Sequence, residues 1–157
     1  MRTIVEACLD DLDRIREVTL DTARLFPGGN LNPKPVPGMR SAGQILAHIL
    51  DTEIAVAMAI GTGVWRFGQG PHRLSRLETF ERWSAATRRR TLEYLANLDD
   101  DRLWQPAEAP DGAPLSVFLL FQTIAENEIH HRGQLFVYLR LLGLEPPWLY
   151  GGPNPQK

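Results

Sequence analysis

Apolar residues recur three and four positions apart over four long stretches of this chain, and that spacing restricts it to packed helices. The first stretch puts Ile4, Cys8, Leu12, Ile15, Val18, Thr22 and Leu25 on one stripe before Pro27-Gly28-Gly29 stops it. The second covers residues 41–60 and ends at Gly61-Thr62-Gly63. The third covers 75–98, and the fourth covers 115–142 with Gly143 and Pro146-Pro147 beyond it. Three of the four open with one signature: Thr3 ahead of Glu6, Ser41 ahead of Gln44, and Ser75 ahead of Glu78. In that pattern the hydroxyl and the acid or amide each satisfy a backbone N–H at the start of a helix. The segments between are rich in proline, glycine and aspartate, and no strand-like alternation of useful length competes. Four long amphipathic helices in 157 residues predict an all-α four-helix bundle with long connecting loops, as one domain over 1–157.

Charge and cysteine content narrow the partners. A formal net charge of −2 gives no attraction for phosphate backbones or anionic lipid, and no basic stripe interleaved with aromatics appears. Neither nucleic acid nor a membrane is an expected partner. A single cysteine, Cys8, precludes an intramolecular disulfide and suits a reducing compartment. Residues 1–13 are interrupted by Arg2, Glu6, Asp10 and Asp11 and do not read as a signal stretch, so the expected location is the cytoplasm. The weakly polar run 45–60 carries His48, Asp51 and Glu53 and reads as too short and too charged to span a bilayer.

Polar residues interrupt the apolar seam of the fourth helix. The seam runs Leu120, Ile124, Asn127, His131, Leu135, Tyr138 and Leu142. On the second helix Ile45, His48, Thr52, Ala55 and Ala59 share a stripe, so His48 also faces inward, beside small residues. Each buried imidazole or amide left unsatisfied costs about 1–3 kcal/mol, so this layer needs partners. Two answers are open. Side chains at i and i+4 sit about 6 Å apart at Cβ, and with His48 they can converge on a metal ion that keeps open positions. Alternatively His48, Asn127 and His131 hydrogen-bond one another, Thr52 and the backbone as a satisfied polar layer.

The run HHRGQL, the LRLLG and PP downstream of it, and the upstream QILAHILDTE resemble the DinB/YfiT-like family of metal-binding four-helix bundles over nearly the whole chain. The resemblance implies a divalent transition metal, zinc or nickel, held by one histidine on helix two and an H-x-x-x-H pair on helix four. Those positions are His48, 127 and His131, and this chain departs from the pattern because position 127 is Asn127. An amide oxygen is a weaker ligand than imidazole for such metals. Water or a carboxylate can fill the gap, and Glu128, three residues before His131, reads either as that carboxylate or as a solvated residue or partner for Arg132. The resemblance further implies a small-molecule substrate, a low-molecular-weight thiol such as bacillithiol or mycothiol, and a homodimer. The implied chemistry is thiol S-transfer or isomerisation, with the metal deprotonating the thiol, or hydrolysis, with the metal lowering the pKa of a water. A reading of another class is a non-catalytic dimeric helical module with a degenerate metal site, binding a small ligand or serving a stress response, and Asn127 favours it. No catalytic residue is assigned. Asp51, Glu53 and Glu128 qualify as a general base by proximity only, and each otherwise reads as a surface or capping group.

Other residues carry weaker expectations. His130 belongs at the edge of the interface, Gly133 at a close helix contact, Gln134 beside a neighbouring loop and His72 in solvent. Cys8 reads as an inert core thiol and Arg88-Arg89-Arg90 as a largely outward face. Trp65, Trp104 and Trp148 fall in or near loops, at a pocket mouth or subunit interface. If Phe118, Leu119 and Leu141 lie off the seam, helix four is apolar on more than one face, which suits either a buried central helix or a dimer contact.

Overall fold

A computed structural model describes residues 3–149. Positions 1–2 and 150–157, which belong to the expected 1–157 domain, lie outside the described residues. Four long helices form: α1 (Ile4–Arg24), α2 (Ala42–Thr62), α3 (Leu77–Leu95) and, after the short α4 (Asp100–Leu103), α5 (Val117–Leu141). Two of the three predicted capping boxes close. Thr3 Oγ1 accepts from Glu6 N at 3.1 Å while the Glu6 carboxylate accepts from Thr3 N at 2.8 Å. Ser41 and Gln44 repeat the exchange at 3.1 and 2.8 Å. At Ser75 the box does not form, because the Ser75 carbonyl accepts from Leu31 N and Arg76 bridges Asn30. That pairing holds the segment extended, and α3 starts one residue later behind Arg76, with no side-chain cap.

The third connection holds structure that periodicity does not reveal. Asp99 caps α4, and β1 (Pro106–Glu108) pairs antiparallel with β2 (Pro114–Ser116) in a small hairpin. Three-residue strands are too short to show an alternation. Asp100 reaches across to accept from Ile4 N and Val5 N, both at 3.0 Å, so α1 has a second cap from a distant loop.

Helix α2 is central, with α3 and α5 packed on it and α1 packed on α5. From 42 to 60 every residue is buried except Gln44, His48 and Asp51, which are half-buried. A Cβ at Gly43 would overlap the Leu74 carbonyl, and one at Gly61 the Tyr94 carbonyl, so both ends of α2 need glycine for close approach. The helix is longer and more apolar than the 45–60 run suggests. Its 21 residues include a stretch of mean hydropathy 1.5, long and apolar enough to cross a membrane, but 78% of that stretch is buried inside the bundle. Packing against protein accounts for its composition.

The apolar core is divided in two, with charge between the halves. One half gathers Phe26, Leu31, Leu46, Ile49, Phe80 and Leu135. The other gathers Leu12, Val56, Ile60, Leu95, Leu120 and Phe121. Partway along the helices that run through both halves, Arg16 donates from Nε and Nη2 to the two Glu128 carboxylate oxygens, both at 2.8 Å. Its Nη2 also reaches Glu53 Oε2 at 2.6 Å, and its Nη1 donates to Ser84 Oγ at 3.0 Å. Glu53 Oε1 accepts from Thr91 at 2.8 Å and lies 3.1 Å from Arg88 Nη1. Arg132 Nη1 donates to the Ile15 carbonyl at 3.0 Å. Glu53 and Glu128 are each 1% exposed and Arg16 is 4% exposed.

These positions correct three expectations. Glu53 and Glu128 are neither surface nor capping groups, and Arg88 turns inward, its Nε 3.0 Å from Asp13. Burial is tolerated because each charge meets its opposite. Burial alone lowers the Arg16 pKa, and the charges of Glu128 and Glu53 more than reverse that. For Glu128, burial pushes the carboxyl up, and Arg16 brings it below its ordinary value. The α1 stripe is also rotated from the expected one. Ile4 and Leu25 are exposed, Cys8 and Val18 half-buried, and the buried line runs through Leu12, Ile15, Arg16, Thr19 and Thr22.

Candidate functional site

Helices α2 and α5 meet at His48 and His131. The two rings lie edge to face, 4.7 Å between centroids at 89°, and both residues are half-buried. One turn earlier on α5, Asn127 is also half-buried, and its Oδ1 is a buried acceptor with no hydrogen-bond partner among the described residues. His131 Nδ1 lies 3.0 Å from Gln134 Oε1. A carboxamide oxygen only accepts, so Nδ1 carries the proton and Nε2 keeps its lone pair. The other end of the same amide, Gln134 Nε2, sits 3.3 Å from His130 Nε2 and donates to it. Gln134 therefore orients the histidine pair rather than a loop.

Burial pushes both imidazoles below their ordinary pKa. At His48 the charges of His131 and Arg40 add to the effect and Asp51 opposes it. At His131 the Gln134 hydrogen bond opposes it, while His130 and Arg40 reinforce it. Both rings are accordingly neutral near pH 7, the form in which imidazole offers a lone pair.

The open side of His48 is a cavity of about 240 Å³, lined in part by Arg40, Gln44, Asp51 and His72. Gly70, Pro71 and His72 of the loop after α2 also line it. Asp51 holds that loop by accepting from Gly68 N at 2.9 Å and Gly70 N at 2.8 Å. Tyr138 on α5 donates its hydroxyl to the Arg40 carbonyl at 2.7 Å, which ties the entry to α2 onto the helix that carries His131. A larger cavity of about 410 Å³ lies under the β1–β2 hairpin, beside Trp65 and Arg102, and none of the histidines lines it.

Several expected residues sit elsewhere. Glu128 is locked on Arg16 and does not turn toward His131, so it does not stand in for a missing ligand. Glu53 faces the same guanidinium, and Asp51, the carboxylate that shares a cavity with His48, accepts from Gly68 N and Gly70 N. Nothing lies within 4 Å of a Cβ built at Gly133, which is exposed, so no close contact inside the chain explains it. His72 is exposed at the rim of the small cavity. Cys8 is half-buried, its thiol pushed up by burial and by Asp11 and Asp100, the state of an unreactive thiol. Trp65 donates to the Glu108 carbonyl, and the Trp104 ring lies tilted at 32° against Phe118, both at the hairpin end. Among the described residues no three His, Cys, Asp or Glu side chains converge as a metal-binding group, and Asn127, one turn before His131 on α5, is the residue whose buried amide oxygen is unsatisfied.

The DinB family model matches residues 1–157. The chain belongs to the DinB family. Its all-α fold is shared with solved DinB-like structures. The DinB-like protein YjoA of Bacillus subtilis superposes with a TM-score of 0.72 at 26% identity, over 91% of this chain and 96% of that one. A DinB-like protein from Bacillus cereus ATCC 10987 superposes with a TM-score of 0.76 at 25% identity, over 94% and 98%. In sequence the chain is 27% identical over 133 residues to the uncharacterised YjoA of Bacillus subtilis strain 168, covering 82% of this chain and 84% of that protein.

Proposed function

We propose that this DinB-family chain holds a divalent transition metal, zinc or nickel, on His48, His131 and Asn127. We propose further that it is an enzyme acting on a small molecule in the cytoplasm, by thiol S-transfer or isomerisation or by hydrolysis. One observation carries the reading. The Asn127 oxygen is buried without a donor, one turn from an imidazole whose Nε2 lone pair is free and whose ring touches a second neutral imidazole. Two imidazoles and an unsatisfied amide oxygen suit a borderline divalent ion, with positions left over for a ligand. When bound, such an ion supplies the Lewis acidity that turns a low-molecular-weight thiol or a water into a nucleophile near neutral pH.

The residues of the chain do the rest. Burial keeps His48 and His131 neutral, Gln134 holds the Nδ1 proton of His131, and Asp51 pins the loop that walls the cavity. All three donors are uncharged, so an anionic ligand is favoured over a neutral one. Metal analysis of untagged protein decides between this reading and the non-catalytic dimeric module that Asn127 also favours. Near-stoichiometric metal, lost in both His48→Ala and His131→Ala, supports the site. No metal in the parent after reloading, with uptake restored in Asn127→His, means the site has decayed and moves the search to ligand binding.

We also propose that two copies pair through α5. Ile129, Val137 and Leu141 are exposed and follow one another at four-residue intervals through Gly133, where a partner helix can approach closely. Leu119 is likewise exposed, while Phe118 is half-buried beneath Trp104. Sedimentation of Val137→Glu against the parent tests it, and an unchanged molar mass sinks it.

A further inference from the structure

The small cavity beside His48 contains two hydrogen-bond donors that no other described residue uses. Arg40 is exposed at its edge, and among the described residues its guanidinium has no carboxylate partner. Asp51, in the same cavity, spends both oxygens on Gly68 N and Gly70 N. Gln44 gives its Oε1 to Ser41 N in the capping box, which leaves its Nε2 without a partner among the described residues. Both donors sit at the N-terminal end of α2, where the helix dipole adds positive potential. The backbone N–H groups of that turn are already satisfied by Pro33, Leu31 and Ser41, so recognition there falls to the side chains. The Arg40 charge is felt at His48 and at His131, and its backbone is tied to α5 by Tyr138.

We propose that Arg40 and the Gln44 carboxamide form a subsite for the carboxylate of a small ligand whose other end lies against His48 and His131. A planar guanidinium matches a carboxylate with two parallel hydrogen bonds. The Asp51 charge in the same cavity disfavours a doubly charged group, which points to a carboxylate rather than a phosphate dianion. The subsite deepens the metal-site reading by naming what the ligand carries, and it is testable without metal.

The experiment compares 3-mercaptopropionate with 2-mercaptoethanol, which share a thiol and differ in the carboxylate. In metal-free protein the imidazole nitrogen resonances of His48 and His131 are followed by NMR as each thiol is added to the parent, Arg40→Gln and Arg40→Lys. Arg40 is exposed, and among the described residues its hydrogen bond to the fold is through its backbone oxygen, so both variants keep the bundle. Saturable shifts are expected with mercaptopropionate alone, weakened roughly tenfold in Arg40→Gln and partly restored in Arg40→Lys. Equal responses to the two thiols, or an Arg40→Gln titration matching the parent, overturn the subsite. The same samples are then titrated with cobalt. Failure of the parent to take up cobalt removes the metal reading and leaves the carboxylate result standing. If cobalt binds, its visible spectrum is expected to show a preference for mercaptopropionate that Arg40→Gln erases without weakening mercaptoethanol. Persistence of that preference in Arg40→Gln also overturns the subsite.

Discussion

Asn127 Oδ1 is a buried carbonyl without a donor, a condition that costs about 1–3 kcal/mol. In metal-free protein, Asn127→Leu is therefore expected to stabilise by about 1 kcal/mol, or about 2–4 °C in Tm for a chain of this size. The same substitution is expected to abolish any rise in Tm on adding zinc. Calorimetry with and without zinc reads both effects, and a loss of stability in the metal-free variant would mean that the oxygen has a partner after all. Gln134 acts at one remove, by holding the proton on His131 Nδ1. Gln134→Leu should lower zinc affinity by about 10- to 100-fold while leaving the fold intact, measured by competition with a chelating dye. An unchanged affinity would mean that packing alone orients the ring.

The helices show which signals are local and which are not. Thr3 with Glu6 and Ser41 with Gln44 were legible because donor and acceptor lie within one turn. Ser75 with Glu78 has the same letters, yet the bridge from Asn30 to Arg76 overrides it, and nothing near Ser75 announces a bridge to a residue so far back. Asp100 is the converse, a cap for α1 whose origin in a distant loop no local pattern encodes. Asp100→Ala should cost about 1 kcal/mol, and amide exchange at Ile4 and Val5 should accelerate ahead of the rest of α1. Uniform acceleration along α1 would count against a capping role. For the candidate site, the spacing of His131 and Asn127 on α5 and the stripe through His48 were readable from periodicity. The roles of Arg16, Glu53 and Glu128 were not, because a charged residue is ordinarily assigned to the surface. A signal did exist. Arg16 falls between Leu12 and Thr19, and Glu128 between Ile124 and Arg132, each in phase with the buried face.

For the whole bundle the decisive feature is the ionic layer that divides its core. Glu128→Gln removes one charge from a buried, hydrogen-bonded set and should destabilise by about 3–5 kcal/mol in urea unfolding at pH 7. The pH dependence has a definite sign. The folded Glu128 carboxyl titrates below its ordinary value of 4.5, so the unfolded chain takes up the proton first as the solution is acidified. The stabilisation is complete above pH 4.5 and is lost as pH falls through the lowered folded value. Metal-free protein should therefore lose stability below that point more steeply than Glu128→Gln, and parallel curves would show that Glu128 is not the group responsible. Apolar surfaces are forgiving of small shifts along a helix axis, whereas these ions are not. Were α5 to slide by one turn, about 5.4 Å, its carboxylate would leave Arg16 and enter a half-core of leucine and phenylalanine. With Arg16, Glu53 and Glu128 all made apolar, spin labels on α2 and α5 should report a broadened spread of separations in a chain that is still helical. The ionic layer works as a vertical key for the helices, and it keeps His48 level with His131.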